Sequence, residues 1–277
     1  MFYAAKDKNT LLGLLEKSND TTFIIAGGTD LVIQLKNSKH TVYDIIDITK
    51  INEFAHINET SEYLQIGALV TMRELCESPL VKTDYKALYQ AAYELGSTLI
   101  RNRATIGGNI CNASQSADCS LVLFSYDARI KILNFEGLEK TVPIHEFILG
   151  KEKTILSKKE IVTEILIPKK KRVSAFKKIG ARKAVTISKI SCALEYIPKN
   201  TTLTHVNVYL GAVGIKPIKA HLIESYLENK NINDIRLHDL QTIASNEIEN
   251  AIPNRSSKFY KKIAVQGLIE DLLKDLQ

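Results

Sequence analysis

The first third of the chain alternates between short apolar runs and polar breaks, which predicts short strands and helices. Leucines at positions 11, 12, 14 and 15 predict a helix over residues 10–18. The run FIIA at 23–26 predicts a strand that ends at the turn GGTD, and VYDIIDI at 42–48 predicts another. The run YLQIGALV at 63–70 predicts a strand leading to a helix that begins at Thr71, with Glu74 completing a capping box.

The middle of the chain carries one helical pattern and two apolar runs of different character. Between residues 84 and 99 the apolar positions follow helical spacing, and a glycine-containing loop is expected directly afterwards. The run SLVLFSYDA is apolar enough for either a buried helix or a buried strand, since periodicity does not separate the two. ARIKILNF alternates like a strand.

The pattern changes after IPKKKR, residues 167–172, which we interpret as an inter-domain link. AVTISKISCALEYI and THVNVYLGAVG predict strands of an antiparallel sheet. LIESYLENK and the last stretch of the chain are amphipathic, and one apolar stripe joins Val265, Leu268, Ile269, Leu272 and Leu276. Strands and helices interleave without steady βαβ alternation, which favours an α+β fold.

Composition excludes several classes of protein. The chain has 277 residues, of which 45% are hydrophobic and 25% charged, so it can bury a core. It contains neither an apolar run long enough to span a membrane nor a signal-peptide core, which predicts a cytoplasmic protein. Its four cysteines lack the paired spacing of zinc or iron–sulfur sites, so no protein-bound metal is expected.

The net charge of +6 raises the question of whether the chain binds nucleic acid. The basic residues are mostly dispersed, and no RNA-binding or helix-turn-helix signature is present. A solvated, lysine-rich surface is the better interpretation, and no nucleic-acid partner is expected.

Two Gly-Gly pairs, each followed by short hydrogen-bonding side chains, are the main candidates for a binding site. AGGTDL contains Gly27 and Gly28, and RNRATIGGNICNASQSAD contains Gly107 and Gly108. Backbone N–H groups in two such turns could converge on an anion with adjacent phosphates. Neither segment matches a dinucleotide fingerprint or a P-loop, so each could also be an ordinary turn.

No side chain is predicted to be catalytic. His145-Glu146 lacks the second histidine of a metalloprotease helix, and no serine lies in a G-x-S-x-G elbow.

Four segments in order give the chain a resemblance that covers nearly its whole length. AGGTDL, IGALVTMREL, IRNRATIGGNICNASQSAD and FKKIGARKA resemble the FAD-binding subunits of molybdenum hydroxylases, the family of xanthine dehydrogenase and carbon monoxide dehydrogenase flavoproteins. The tail PNRSSKFYKKIAVQGLIEDLL resembles the closing helix of the same family.

The resemblance implies an α+β fold with a two-part FAD-binding domain of the vanillyl-alcohol oxidase (PCMH) type and a C-terminal α/β domain of the carbon monoxide dehydrogenase flavoprotein type. The expected division is 1–55 and 56–170 for the two FAD-binding subdomains and 171–277 for the C-terminal domain. The cofactor contacts that it implies lie in the two glycine segments, the strand before the linker and a lysine beyond it: Ile24, Ile25, Ala26, Gly27, Gly28, Thr29, Asp30, Leu31, Leu95, Thr105, Ile106, Gly107, Gly108, Asn109, Asn112, Ser114, Asp118, Val162 and Lys177.

Lys177 could place positive charge beside the flavin, or it could be solvated. Gln115 stands where the family usually has proline, which predicts a looser loop and makes Asp118 the less secure contact.

The function implied is electron transfer within a larger enzyme. A molybdopterin-binding large subunit would oxidise the substrate, a [2Fe-2S] small subunit would carry the electrons, and FAD on this chain would pass them to NAD or another acceptor. One alternative is a self-contained FAD-dependent reductase, similar to the enzyme that reduces UDP-N-acetylenolpyruvoylglucosamine. Another is a nucleotide sensor without redox chemistry.

Overall fold

The computed structural model describes residues 1–39 and 41–276. The chain divides into two compact units that interleave along the sequence. The first unit contains residues 1–74, 98–113 and 127–169, and the second contains residues 75–97, 114–126 and the chain from Lys170 onward.

Strands and helices follow one another without a repeating unit. The strands are β1 Phe2–Ala4, β2 Thr22–Ile25, β3 Asp44–Asp47, β4 Ile57–Glu59, β5 Tyr63–Gly67, β6 Arg129–Asn134, β7 Glu139–Pro143, β8 Ile148–Gly150, β9 Lys153–Thr154, β10 Glu160–Pro168, β11 Val173–Gly180, β12 Ser188–Lys199, β13 Thr202–Gly211 and β14 Ile218–Lys219. The helices are α1 Lys8–Glu16, α2 Leu31–Asn37, α3 Met72–Glu77, α4 Pro79–Asp84, α5 Lys86–Tyr93, α6 Thr98–Arg101, α7 Ile106–Asn112, α8 Asp118–Ser125, α9 Ile144–Phe147, α10 His221–Leu227, α11 Leu237–Ala251 and α12 Lys258–Leu276. Short 3₁₀ turns cover Asn52–Phe54 and Ile232–Asp234.

The first unit is built on two main sheets. A parallel sheet has the order β1-β3-β2, and an antiparallel sheet has the order β4-β5-β10-β6-β7. One buried apolar cluster joins α1 with β3 and includes Leu11, Leu15 and Ile46. These leucines are half of the apolar positions that predicted the first helix, because i and i+4 lie on the same helix face.

The second unit has one antiparallel sheet, in the order β11-β12-β13-β14, with α10, α11 and α12 packed around a shared apolar cluster. The predicted stripe of α12 is buried in that cluster. Helix α8 is buried at all eight of its positions. This explains why its sequence showed no polar face to separate a helix from a strand.

The predicted capping box forms at the start of α3. The Thr71 hydroxyl accepts a hydrogen bond from the Glu74 N–H at 3.2 Å, and the Glu74 carboxylate accepts one from the Thr71 N–H at 2.7 Å. Two N–H groups that the helix itself leaves unbonded are thereby satisfied.

Replacement of Thr71 by alanine is expected to lower the free energy of unfolding by about 1 kcal/mol, the usual contribution of an N-cap hydroxyl. Thr71→Ser keeps the hydroxyl and is expected to stay within about 0.5 kcal/mol of the parent protein. Urea denaturation of the three proteins measures the difference. Equal losses in both variants would contradict the assignment of the effect to the hydroxyl.

Most of the predicted elements are confirmed, with two corrections. The helix predicted over 84–99 is shorter, because α5 ends at Tyr93 and the separate helix α6 lies between it and the second Gly-Gly pair. That pair is not a turn: Gly107 and Gly108 lie inside α7. In addition, none of the described helices combines the length and apolarity needed to cross a membrane.

Candidate functional site

The first glycine segment, residues 24–31, leaves β2 and enters α2. Gly28 has φ +72°, in the left-handed region that glycine adopts without steric cost. A Cβ on Gly27 would overlap the backbone carbonyl of Arg103. Both glycines are therefore required by the path of the backbone.

This segment presents unbonded N–H groups to its surroundings. Within the described part of the chain, the backbone N–H groups of Gly27, Gly28, Thr29 and Asp30 have no hydrogen-bond acceptor. Asp30 precedes α2, but its side chain makes no capping hydrogen bond to the helix. Consecutive N–H groups around a left-handed residue form a concave site for an anion.

The second glycine segment, residues 105–112, is organised differently from the prediction. Thr105 caps α7, with its hydroxyl accepting from the Gly108 N–H at 3.1 Å. The Gly107 N–H donates to the Ala68 carbonyl at 2.9 Å, and the Asn109 N–H donates to the Thr105 carbonyl at 2.9 Å. The expectation that these N–H groups are bare is therefore wrong, because the helix start and its neighbour already occupy them.

The glycines of α7 serve close packing. A Cβ on Gly107 would lie 2.6 Å from the Ala68 Cβ and 2.7 Å from its carbonyl oxygen. Gly107 thus lets the helix lie directly against the chain after β5, and the cost of glycine within a helix is offset by that contact.

The structure brings the two glycine segments together. Gly27 packs against the Arg103–Ala104 backbone, immediately before α7. Farther along, the Gln34 side-chain amide in α2 donates to the side-chain oxygen (Oδ1) of Asn112, the last residue of α7, at 2.9 Å. Helices α2 and α7 are therefore also joined by a side-chain hydrogen bond.

Val162 is linked to the second glycine segment through backbone contacts. Its side chain is buried in β10, opposite Ile132 of β6. The carbonyl of the next residue, Thr163, accepts from the Ala68 N–H at 2.9 Å, and Ala68 in turn contacts Gly107. We expect any contact of Val162 with a ligand to use its backbone, since the side chain is enclosed by protein.

The remaining predicted contacts lie in the second unit, where a buried ion pair organises them. The Lys178 ammonium donates to the Asp118 carboxylate at 2.8 Å and to the Glu94 carbonyl, the residue before Leu95, at 2.9 Å. The Ser188 hydroxyl donates to the other carboxylate oxygen of Asp118 at 2.6 Å. Burial raises the pKa of the Asp118 carboxyl, while Lys178 and then Ser188 oppose that rise.

Lys178, whose charged side chain is buried, is a residue that the sequence prediction did not name. The prediction named its neighbour Lys177, which forms a partly buried ion pair with Asp275 at 3.0 Å. Successive side chains of a strand point to opposite faces, so only one of the two lysines of β11 can face Asp118. The signal that could have found it was the paired lysines in FKKIGARKA, but the sequence does not show which of them is turned inward.

Ser114 and Gln115 lie in a turn before α8 that is more ordered than predicted. The Ser114 carbonyl accepts from the Ala117 N–H at 3.1 Å, and the Gln115 carbonyl accepts from the Ala212 N–H at 3.0 Å. The looser loop expected from glutamine in place of proline is therefore not observed. Backbone hydrogen bonds fix the turn without the proline ring.

Two known family models together match nearly the whole sequence. Residues 1–170 match the model of the FAD binding domain in molybdopterin dehydrogenase, and residues 174–276 match that of the CO dehydrogenase flavoprotein C-terminal domain. The nicotinate dehydrogenase FAD-subunit of Eubacterium barkeri is 30% identical, over 99% of this chain and 95% of its own. The putative xanthine dehydrogenase FAD-binding subunit of Escherichia coli K12 is also 30% identical, over 93% and 89%.

The chain belongs to the family of FAD-binding subunits of molybdenum hydroxylases. It is a flavoprotein and a component of an oxidoreductase, as its relatives are. The fold agrees, since carbon monoxide dehydrogenase from Hydrogenophaga pseudoflava superposes with a TM-score of 0.88 at 24% identity, covering 99% of this subunit and 96% of that chain.

The first glycine segment of this FAD-binding subunit fits the diphosphate of FAD. Its unbonded N–H groups can donate to phosphate oxygens, and a backbone without a Cβ at Gly27 and Gly28 allows close approach. On the adjoining helix, the Nδ2 group of Asn112 can donate to hydroxyls or ring edges, while its Oδ1 accepts from Gln34.

Proposed function

We propose that this subunit transfers electrons from the iron–sulfur clusters of a [2Fe-2S] small subunit to NAD or another acceptor, while a molybdopterin-binding large subunit oxidises the substrate. The observation that carries the proposal is the row of unbonded N–H groups at Gly27 to Asp30, packed against the chain that leads into α7. The relatives named medium chains of carbon monoxide and glyceraldehyde dehydrogenases support the expectation of partner subunits.

The roles proposed for individual residues follow from the chemical groups that the chain provides. When bound, FAD supplies an acceptor for electrons that arrive singly and leave as a pair. The first glycine segment would hold the diphosphate, and the amides of α7 would orient the remainder of the molecule. We propose that Lys178, more than Lys177, is the lysine that the family resemblance implies, because it joins Asp118 to the backbone before Leu95.

The described residues of this subunit provide no cluster of three or more histidine, cysteine or acidic side chains suited to a metal ion. None of the four cysteines forms a disulfide, and Cys119 and Cys192 are buried. Metal-centred electron carriers are therefore assigned to the partner subunits in this proposal. The cytoplasmic location and the boundary at residue 55 remain predictions.

Purification together with the products of neighbouring genes tests the proposal. We expect a complex that contains a molybdopterin chain and a small chain with two clusters, with about one FAD released per copy of this subunit. Addition of the complex's substrate should bleach the flavin absorbance near 450 nm, and NAD should restore it if NAD is the acceptor.

Two results would contradict this function. A subunit isolated alone that reduces its own substrate with NADPH would be a self-contained reductase. A colourless preparation that binds AMP or ADP but not FAD would be a nucleotide sensor.

A further inference from the structure

The second unit contains a cavity with a volume of about 390 Å³ that the proposed function does not use. The side chains that line it include those of Gln115, Ser116, Ser188, Lys189, Ser257 and Lys261. The lining comes from the turn before α8, the start of β12, the residue after β13 and the chain at the start of α12. The cavity is therefore framed by four segments that are distant in sequence.

Lys261 is the unusual member of this wall. It is only 8% exposed, although lysine is rarely buried without a partner of opposite charge. Its ammonium donates to the backbone carbonyl of Ala212, which is the one acceptor it has among the residues that the structure describes. An ammonium has three donors, so two of them are not used by the described protein groups.

No carboxylate compensates the charge of Lys261 within the described parts of the chain. The charged group that acts on it electrostatically is another cation, Arg255, whose guanidinium donates to the Val213 carbonyl at 3.0 Å. Burial, and then Arg255, lower the pKa of Lys261. A buried cation beside a second cation is costly unless an anion joins them.

The other groups of the wall suit an oxyanion. The hydroxyls of Ser116 and Ser257 have no hydrogen-bond partner among the described residues. Lys189 contributes a second ammonium, 5.4 Å from the centre of the Tyr260 ring. Hydroxyl and ammonium donors around one space, without a carboxylate among the lining residues, match the acceptor oxygens of a phosphate group.

We propose that this cavity binds the phosphate group of a phosphorylated small molecule, with Lys261 as the principal charge partner and Ser116 and Ser257 as additional donors. The identity of that molecule rests on the proposed function: a pyridine nucleotide acceptor would bring its diphosphate here, whereas free inorganic phosphate would need no redox role. The cavity adjoins the Lys178–Asp118 pair, because Ser188 lines it and also donates to Asp118.

The test titrates FAD-loaded protein with inorganic phosphate and, separately, with ADP-ribose, a redox-inactive fragment of NAD, by calorimetry. Lys261→Met keeps the length of the side chain and removes the charge. Lys274→Met removes the same charge from the exposed end of the same helix and serves as the control. Ser116→Ala removes one donor and leaves the buried lysine in place.

We expect Lys261→Met to weaken binding of at least one probe by about tenfold or more, Ser116→Ala to weaken it by about threefold, and Lys274→Met to leave it unchanged. Binding of ADP-ribose would identify a nucleotide occupant, and binding of phosphate alone a free anion; either result supports the site. The inference fails if neither probe binds, or if Lys261→Met and Lys274→Met have equal effects.

Failure of the proposed function can be recognised separately. If the protein takes up no FAD, the electron-transfer function is wrong, and the same titration with inorganic phosphate on the FAD-free chain still tests the cavity.

Discussion

Replacement of Gly27 by alanine is expected to weaken FAD binding by at least about 100-fold, which corresponds to about 2.7 kcal/mol. The new methyl group would overlap the carbonyl of Arg103, so the first glycine segment and the chain before α7 would have to move apart. The obstacle is backbone and not the flexible end of a side chain, so a rotamer change cannot relieve the strain. Titration of the FAD-free protein with FAD, followed by flavin fluorescence, measures the dissociation constant.

Gly13→Ala is the matched control, since a Cβ at residue 13 meets nothing within 4 Å and the residue lies in α1. This variant should bind FAD as the parent does and gain up to about 1 kcal/mol of stability from the better helix propensity of alanine. If Gly27→Ala retains the affinity of Gly13→Ala, the first glycine segment does not hold the cofactor.

Lys178→Met is expected to lower the free energy of unfolding by roughly 3 to 5 kcal/mol near neutral pH. Among the described residues, the substitution leaves the buried Asp118 carboxylate with the Ser188 hydroxyl as its side-chain partner. Lys177→Met removes a partly exposed ion pair with Asp275 and should cost about 1 kcal/mol or less. Guanidinium denaturation of the two variants, side by side, compares adjacent residues of one strand.

The effect of Lys178→Met should depend on pH in a defined direction. Without the ammonium, the pKa of Asp118 in the folded protein rises further above its value in the unfolded chain. The folded state then keeps a proton that the unfolded chain releases. The destabilisation should be small below about pH 4, where the carboxyl is protonated in both states, and should grow as the pH rises toward neutrality.

A double variant keeps this prediction testable even if Lys178→Met unfolds. Asp118→Asn combined with Lys178→Met removes both charges and should recover most of the lost stability, because no buried carboxylate remains uncompensated. A double variant as unstable as the single one would show that Lys178 acts through packing and not through charge.

The turn at residues 26–30 and the family to which it points could be predicted from the sequence. AGGTDL requires glycine at two positions, and it lies within the residues that match the FAD-binding family model. The apolar stripe of α12 was equally visible, because burial of one helix face imposes a spacing that a single sequence displays.

The second Gly-Gly pair looks like the first in the sequence, but its glycines are needed for a different structural reason. In the first segment glycine supplies a left-handed residue and leaves N–H groups unbonded. In α7 glycine supplies room for Ala68. A sequence records that a side chain is absent and does not record which neighbour occupies the space, so the two pairs could not be told apart before folding.

The sequence by itself therefore determined the family, the cofactor and the order of the elements, since these follow from local patterns and motifs. Only the tertiary structure decided that Lys178 and not Lys177 faces Asp118, that the Gly107 N–H is already bonded to Ala68, and that Lys261 is buried with no carboxylate partner among the described residues. The physical reason is that these contacts join residues far apart in the sequence: 60 positions separate Asp118 from Lys178, and 49 separate Ala212 from Lys261. Local spacing carries no information about such contacts.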